Sequence, residues 1–157
     1  MQIHLLAVGT RMPEWVKQGY EEYAQRMPPH CKIVLKEIPP EKRGKNTNAA
    51  ELQQREVDRI RQSLPAKCHI VALDGTGKMW STEKLADRLS DWMMQGPDVA
   101  LVIGGPDGLT KPFIQQCNEH WSLSNLTFPH PMVRVIVAEQ LYRAWTITQN
   151  HPYHRAG

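Results

Sequence analysis

From Val99 to Ile103 the chain is apolar at every position, and it then runs without a spacer into Gly104, Gly105 and Gly108. A strand of that kind has no water-facing side, so both faces of its sheet must be covered, as they are in parallel sheets flanked by helices. Three further runs share its strand-like character: Ile3 to Val8, Lys32 to Ile38 and His69 to Leu73. Between them lie segments of helical period. Val16, Tyr20, Tyr23, Ala24 and Met27 recur at helical spacing after Pro13, over Glu14 to Met27. Leu52, Ile60 and Leu64 follow a capping-box-like Asn48 and Glu51. Leu85, Leu89, Trp92 and Met93 share one face after Ser81, and Gly96 and Pro97 stop that helix. Pro112 opens a short helix containing Ile114 and Cys117, and Val133 to Thr148 forms a long one. The fold class is α/β: a mostly parallel sheet flanked by helices, joined by right-handed crossovers. The DGTGK segment, 74 to 78, is predicted to be a turn that ends the third strand.

At 157 residues and 41% hydrophobic content, the chain suits one domain over 1–157, able to bury roughly 70% of its unfolded surface. Cys31, Cys68 and Cys117 are odd in number and form no CxxC pair, which argues against a disulfide framework or a thiolate zinc site and fits a reducing cytoplasm. The first apolar run has no basic lead-in and is too short for a signal peptide or membrane span, so a soluble, unexported protein is expected. The formal charge of +3 permits a nucleic-acid partner without requiring one. Within PPEKRGKNT, 39 to 47, three cations face one carboxylate, and this reads as an exposed basic loop.

In open parallel sheets ligands bind beyond the carboxyl ends of strands. Leu73, Gly104 and the residues after Trp121 fall at such ends. Gly104, Gly105 and Gly108 permit close backbone approach, but GGPDG is neither GxGxxG nor a P-loop, which speaks against nicotinamide and nucleoside-triphosphate sites; a plain turn is the alternative. The run Leu123, Ser124, Asn125, Leu126, Thr127 and Phe128 combines apolar Leu123, Leu126 and Phe128 with polar Ser124, Asn125 and Thr127. Such a segment suits either a ligand-lining strap or an edge strand, and pattern alone favours the strand. The long helix is apolar around more than one flank, which suits packing against a second subunit as well as the core. Glu139 and Arg143 are one turn apart and can pair, while Arg134 projects nearly opposite Arg143. Its end, HPYHR at 151 to 155, offers an imidazole, a phenol and a cation. Proline denies this segment the helical register of an HExxH metal site. A solvated tail is the alternative reading.

Together LLAVGTRMPEWV, IPPEKRGKN, VALDGTGK, LVIGGPDGL, WSLSNLTFPHPMVRVIVAEQLYRAW and NHPYHR closely resemble, in order and spacing over nearly the whole chain, the ribosomal RNA large subunit methyltransferase H family of SPOUT methyltransferases. Each motif is weak alone and the conjunction is specific. The resemblance implies a homodimer with a C-terminal trefoil knot. It also implies methyl transfer from S-adenosyl-L-methionine to N3 of a pseudouridine in a stem-loop of 23S large-subunit ribosomal RNA. It places cofactor contacts on Leu73, Gly104, Leu123, Ser124, Asn125, Leu126, Thr127 and Phe128, largely through backbone. For catalysis it points to the tail: His154 as proton acceptor, Arg155 or Arg143 as stabiliser of developing charge or phosphate clamp, and Tyr153 as a stacking or orienting group. No metal and no membrane partner is expected. Lys42, Arg43 and Lys45 are expected to touch RNA phosphates. Two rival readings are a non-catalytic RNA-binding or ribosome-assembly protein and a metal-dependent hydrolase built on His130, His151 and His154.

Overall fold

A computed structural model describes residues 1–155; the last two residues of the expected 1–157 domain lie outside the described residues. The strands β1 (Ile3–Val8), β2 (Ile33–Ile38), β3 (His69–Met79), β4 (Val99–Ile103) and β5 (Glu119–Ser122) form one parallel sheet in the order β2-β1-β4-β3-β5. All five residues of β4 are buried. The strand is paired to β1 through Val99–Ile3 and Ile103–Ala7, and to β3 through Val99–His69 and Ile103–Leu73.

Alternation of the pleat splits the core into two layers. Ile3, Leu5, Ala7, Val71, Leu101 and Ile103 face a layer completed by Tyr20, Leu85, Leu89, Trp92, Val137 and Leu141. Those residues belong to α1 (Glu14–Ala24), α3 (Thr82–Gln95) and α5 (His130–Thr148). Leu6, Val8, Ala72, Ala100 and Val102 face Val57, Ile60 and Phe113 on the other side, from α2 (Ala49–Ser63) and α4 (Lys111–Gln116). Each fully buried leucine, isoleucine or valine contributes roughly 1.5–3 kcal/mol through apolar area removed from water.

α5 lies against α1 and α3. Gly19 on α1 lets Val135 approach closely, since a Cβ there would stand 3.2 Å from the valine. Arg134, buried at 2% exposure, ties the start of α5 to the strand ends below it: Nη1 donates to Glu37 at 2.6 Å and Nη2 to the Gly9 carbonyl at 2.8 Å. It therefore sits apart from Arg143, as helical geometry requires. Helix boundaries follow the expected caps: the side chains of Asn48 and Ser81 accept from the amides of Ala50 and Lys84, and Gly96 ends α3 at φ +95°. α1 stops at Ala24, earlier than its apolar period implies; Met27 is still buried, but from the turn that follows.

Two local expectations are corrected. β3 does not end at Leu73. It bulges over 74–77 and pairs again, Lys78 with Trp121 and Met79 with Ser122. Asp74 makes the bulge by accepting from both the amide and the hydroxyl of Thr76. Gly77 lets the β5 backbone close on it, because a Cβ there would stand 2.7 Å from the Trp121 nitrogen. Residues 123–128 are likewise no edge strand. β5 takes the edge instead, and the segment turns away as the Ser122 hydroxyl donates to the Ser124 carbonyl and the Leu126 amide donates to Ser124 Oγ.

Candidate cofactor cleft and C-terminal polar cluster

The carboxyl ends of β3, β4 and β5 meet at a cleft of about 190 Å³. Each wall follows from a local rule. At the end of β4 the chain turns through Gly104, Gly105 and Gly108; the Gly108 amide donates to the Gly105 carbonyl at 2.9 Å and Gly108 takes φ +76°. A Cβ on Gly104 would stand 2.7 Å from the Gly108 carbonyl carbon, so only glycine closes this turn. Leu73, Ile103, Leu123, Phe128 and Val133 supply apolar wall, while Ser122, Ser124 and Thr127 offer hydroxyls. Asp74 is the one carboxylate lining it among the described residues. Burial pushes its carboxyl upward, but hydrogen bonds from Thr76 and His120 outweigh this and hold it below the usual carboxylate range. It is therefore ionised at neutral pH. His130 at the start of α5 also lines the cleft. Burial lowers its imidazole below the ordinary value, against an opposing contact with the Gly105 backbone. The ring is neutral there at pH 7.

A second polar cluster lies at the far end of α5. Arg143 Nε donates to Glu139 Oε1 at 2.7 Å, and its guanidinium stacks on Tyr153 at 4.7 Å. The Tyr153 hydroxyl lies 3.4 Å from the same glutamate oxygen, and its ring meets Tyr142 edge-on at 4.8 Å. Burial first, and then Glu139, raise the Tyr153 phenol above its ordinary value, keeping it protonated. His154 bridges two helices: Nδ1 lies 3.3 Å from Arg143 Nη1 and Nε2 lies 3.0 Å from Glu83 Oε1 at the start of α3. A guanidinium only donates and a carboxylate only accepts, so this arrangement selects the neutral tautomer with the proton on Nε2. Nδ1 is then the basic lone pair. Arg155 is exposed.

A family model described as "Predicted SPOUT methyltransferase" matches residues 1–154. The chain belongs to the SPOUT methyltransferase family. Two relatives of this SPOUT chain, each named "Ribosomal RNA large subunit methyltransferase H", come from Methylococcus capsulatus and Thioalkalivibrio sulfidiphilus. Both are 54% identical to it over 99% of its length, covering 100% and 99% of theirs. Among solved structures, a putative methylase family protein from Neisseria gonorrhoeae aligns with TM-score 0.55 at 16% identity, over 99% of this chain and 86% of that one. A probable methylase family protein from Haemophilus influenzae aligns with TM-score 0.53 at 12% identity, over 99% and 70%. At those identities the two structures support the fold alone.

The structure of this SPOUT methyltransferase brings together Leu73, Gly104, Leu123, Ser124, Leu126, Thr127 and Phe128 around the cleft; Asn125 is exposed and does not line it. Arg143, Tyr153 and His154 gather in the second cluster, and none of them lines the cleft. Val133 does, and Arg143 is ten residues further along α5, about 15 Å by helical rise. Sequence reasoning passed over Asp74, Gly75, Ser122 and Val133 as cleft residues. An aspartate directly after an apolar strand was the available signal for the first. Lys42 and Lys45 are exposed as expected. Arg43 is already engaged within the protein: its Nη2 donates to Asp107 at 2.8 Å and lies 3.4 Å from Glu56. The three histidines of the hydrolase reading do not converge. His130 sits at the cleft, His154 is held by Glu83, and the His151 ring accepts from the Tyr153 amide. Among the described residues no three potential ligands gather as a metal site. The thiols are no better placed as nucleophiles, since burial pushes Cys31 and Cys117 each up to about 11.

Proposed function

We propose that this protein transfers a methyl group from S-adenosyl-L-methionine to N3 of a pseudouridine in a stem-loop of 23S large-subunit ribosomal RNA. The observation that carries the reading is the cleft at the ends of β3, β4 and β5. Seven of the eight residues expected to hold the cofactor line it, and the ionised carboxylate of Asp74 stands beside them. Its chemistry fits the cofactor: backbone groups and apolar side chains suit a flat purine, and Asp74 suits a ligand bearing cationic centres. Bound there, S-adenosyl-L-methionine supplies an already activated methyl group. The work left to the protein is to hold the acceptor base in line and to remove its imino proton, and positioning alone is worth several kcal/mol (about 7 or more).

The tail cluster supplies those roles. His154 Nδ1 accepts the imino proton once the base displaces Arg143 from it. Arg143 then faces the developing negative charge on the base, and Tyr153 offers a ring for stacking. Arg155, exposed at the end of the cluster, is suited to a phosphate.

Within one chain none of Arg143, Tyr153 and His154 lines the cleft. The reading therefore includes a homodimer, in which the tail of one subunit serves the cleft of the other. The exposed Trp15 and Met132, at the starts of α1 and α5, are apolar surface suited to such an interface. The expected C-terminal trefoil knot belongs to the same reading, and so does a cytoplasmic location. No helix of the described residues is long and apolar enough to cross a membrane.

Mass spectrometry of 23S ribosomal RNA from cells lacking this protein, compared with the same cells after its return, tests the proposal. One methylated pseudouridine should vanish and reappear. An unchanged modification pattern would overturn it, and calorimetry showing no S-adenosyl-L-methionine binding would return the field to the non-catalytic RNA binder.

A further inference from the structure

Glu56 lies inside α2 at 1% exposure, with its carboxylate under the Gly104–Gly108 turn. A Cβ on Gly105 would stand 2.5 Å from Oε1. A carboxylate so placed must be partnered, because desolvation of an unpaired charge costs several kcal/mol. Its partners come from the basic loop. The Glu41 amide donates to Oε2 at 2.9 Å, and Arg43 Nη1 and Nη2 each lie 3.4 Å from one of its two oxygens. The same guanidinium donates to Asp107 Oδ2 at 2.8 Å, and Gln53 of α2 donates to the Asp107 carbonyl at 2.8 Å. The fork of Arg43 thus joins a carboxylate beneath the cofactor turn to one inside it. Lysine, a point charge on a flexible stem, cannot bridge both.

We propose that Arg43 and Glu56 are positioning residues that clasp the 104–108 turn in its cofactor-binding shape, so that a side chain of the basic loop sets affinity in a cleft it does not line. The inference rests on the reading of that cleft as the S-adenosyl-L-methionine site. Three glycines in five residues leave the turn few side chains of its own to fix it, and their freedom makes an unheld turn entropically costly to order. The clasp supplies that order from outside. Linkage then makes the effect reciprocal: an RNA phosphate that draws Arg43 from Asp107 loosens the cofactor, and bound cofactor resists that exchange by the same factor.

The test uses the intact protein, with S-adenosylhomocysteine as the probe in calorimetry and amide hydrogen exchange over residues 104–109 as a second readout. Arg43→Ala should speed exchange of the Gly108 amide about tenfold through local opening of the turn and weaken the probe at least about fivefold. Arg43→Lys should restore neither. Asp107→Ala should weaken the probe similarly, and the double variant should be no weaker than the worse single one, as members of one bridge are non-additive. Lys36→Ala, which removes one cation from exposed strand, should change neither readout. Unchanged exchange in Arg43→Ala, or single effects that multiply in the double variant, would overturn the clasp. Absence of probe binding by the wild-type protein, with the exchange difference intact, would instead overturn the cofactor reading and leave the clasp standing.

Discussion

Glu119, at the start of β5, accepts from three side chains: Arg88 Nε at 2.6 Å, His69 Nε2 at 2.5 Å and Trp92 Nε1 at 2.8 Å. Burial pushes its carboxyl up, and these three donors together outweigh it and hold the group below the usual range. A carboxyl depressed on folding stabilises the fold fully above the unfolded value, and that contribution is lost as pH falls through the folded one. Glu119→Gln should therefore cost about 2 kcal/mol near neutrality, from weakened charge-assisted bonds. The gap to wild type should close on acidification, as urea unfolding at several pH values will show. His154→Ala should lower the single-turnover methyl-transfer rate about 100-fold and flatten its pH profile, as loss of a general base does; a full rate across pH would exclude that role. At this scale the sequence was partly legible. Polar residues at a helix end announce themselves by type, as His154 and Tyr153 did in the tail cluster, but partners distant in sequence do not. Nothing in PPEKRGKNT signals that Arg43 is already engaged by Glu56 and Asp107, residues 13 and 64 positions away.

The elements were more legible than their edges. Largely apolar runs located β1 through β4, helical period located α1, α2, α3 and α5, and Pro112 marked α4; the apolar patterns arise from burial of one layer against another. β5 escaped. Its four residues, Glu119–Ser122, are too few for a pattern, and of its three polar residues Glu119 and His120 serve the Glu119 cluster and the Asp74–His120 pair. The bulge in β3 escaped for a related reason: DGTG is turn chemistry, and here the turn is built inside a strand instead of after it. Gly77 makes that construction possible. Gly77→Ala should force β3 and β5 apart at Trp121, costing about 2–3 kcal/mol as backbone overpacking does, measurable as a drop in Tm and in the urea midpoint. Gly75→Ala, with open space at its Cβ position, should be mild by comparison.

For the whole molecule, charge is a matter of placement. The formal +3 is small, but Lys42 and Lys45 stand exposed on the loop that the Arg43 clasp anchors beside the cleft. Double substitution of those two lysines by alanine should weaken RNA binding and reduce the slope of log K against log salt by about 1.5, one counterion release lost per contact. An unchanged slope would remove both from the RNA path. Trp80 and Trp121 stack at 5.0 Å with planes 12° apart, and Trp92 lies 6.3 Å from Trp80. Trp121 is followed directly by the residues that line the cleft. Coupled indoles so close to the mouth make an optical reporter native to the chain: near-ultraviolet circular dichroism should register occupancy of the cleft without any added dye.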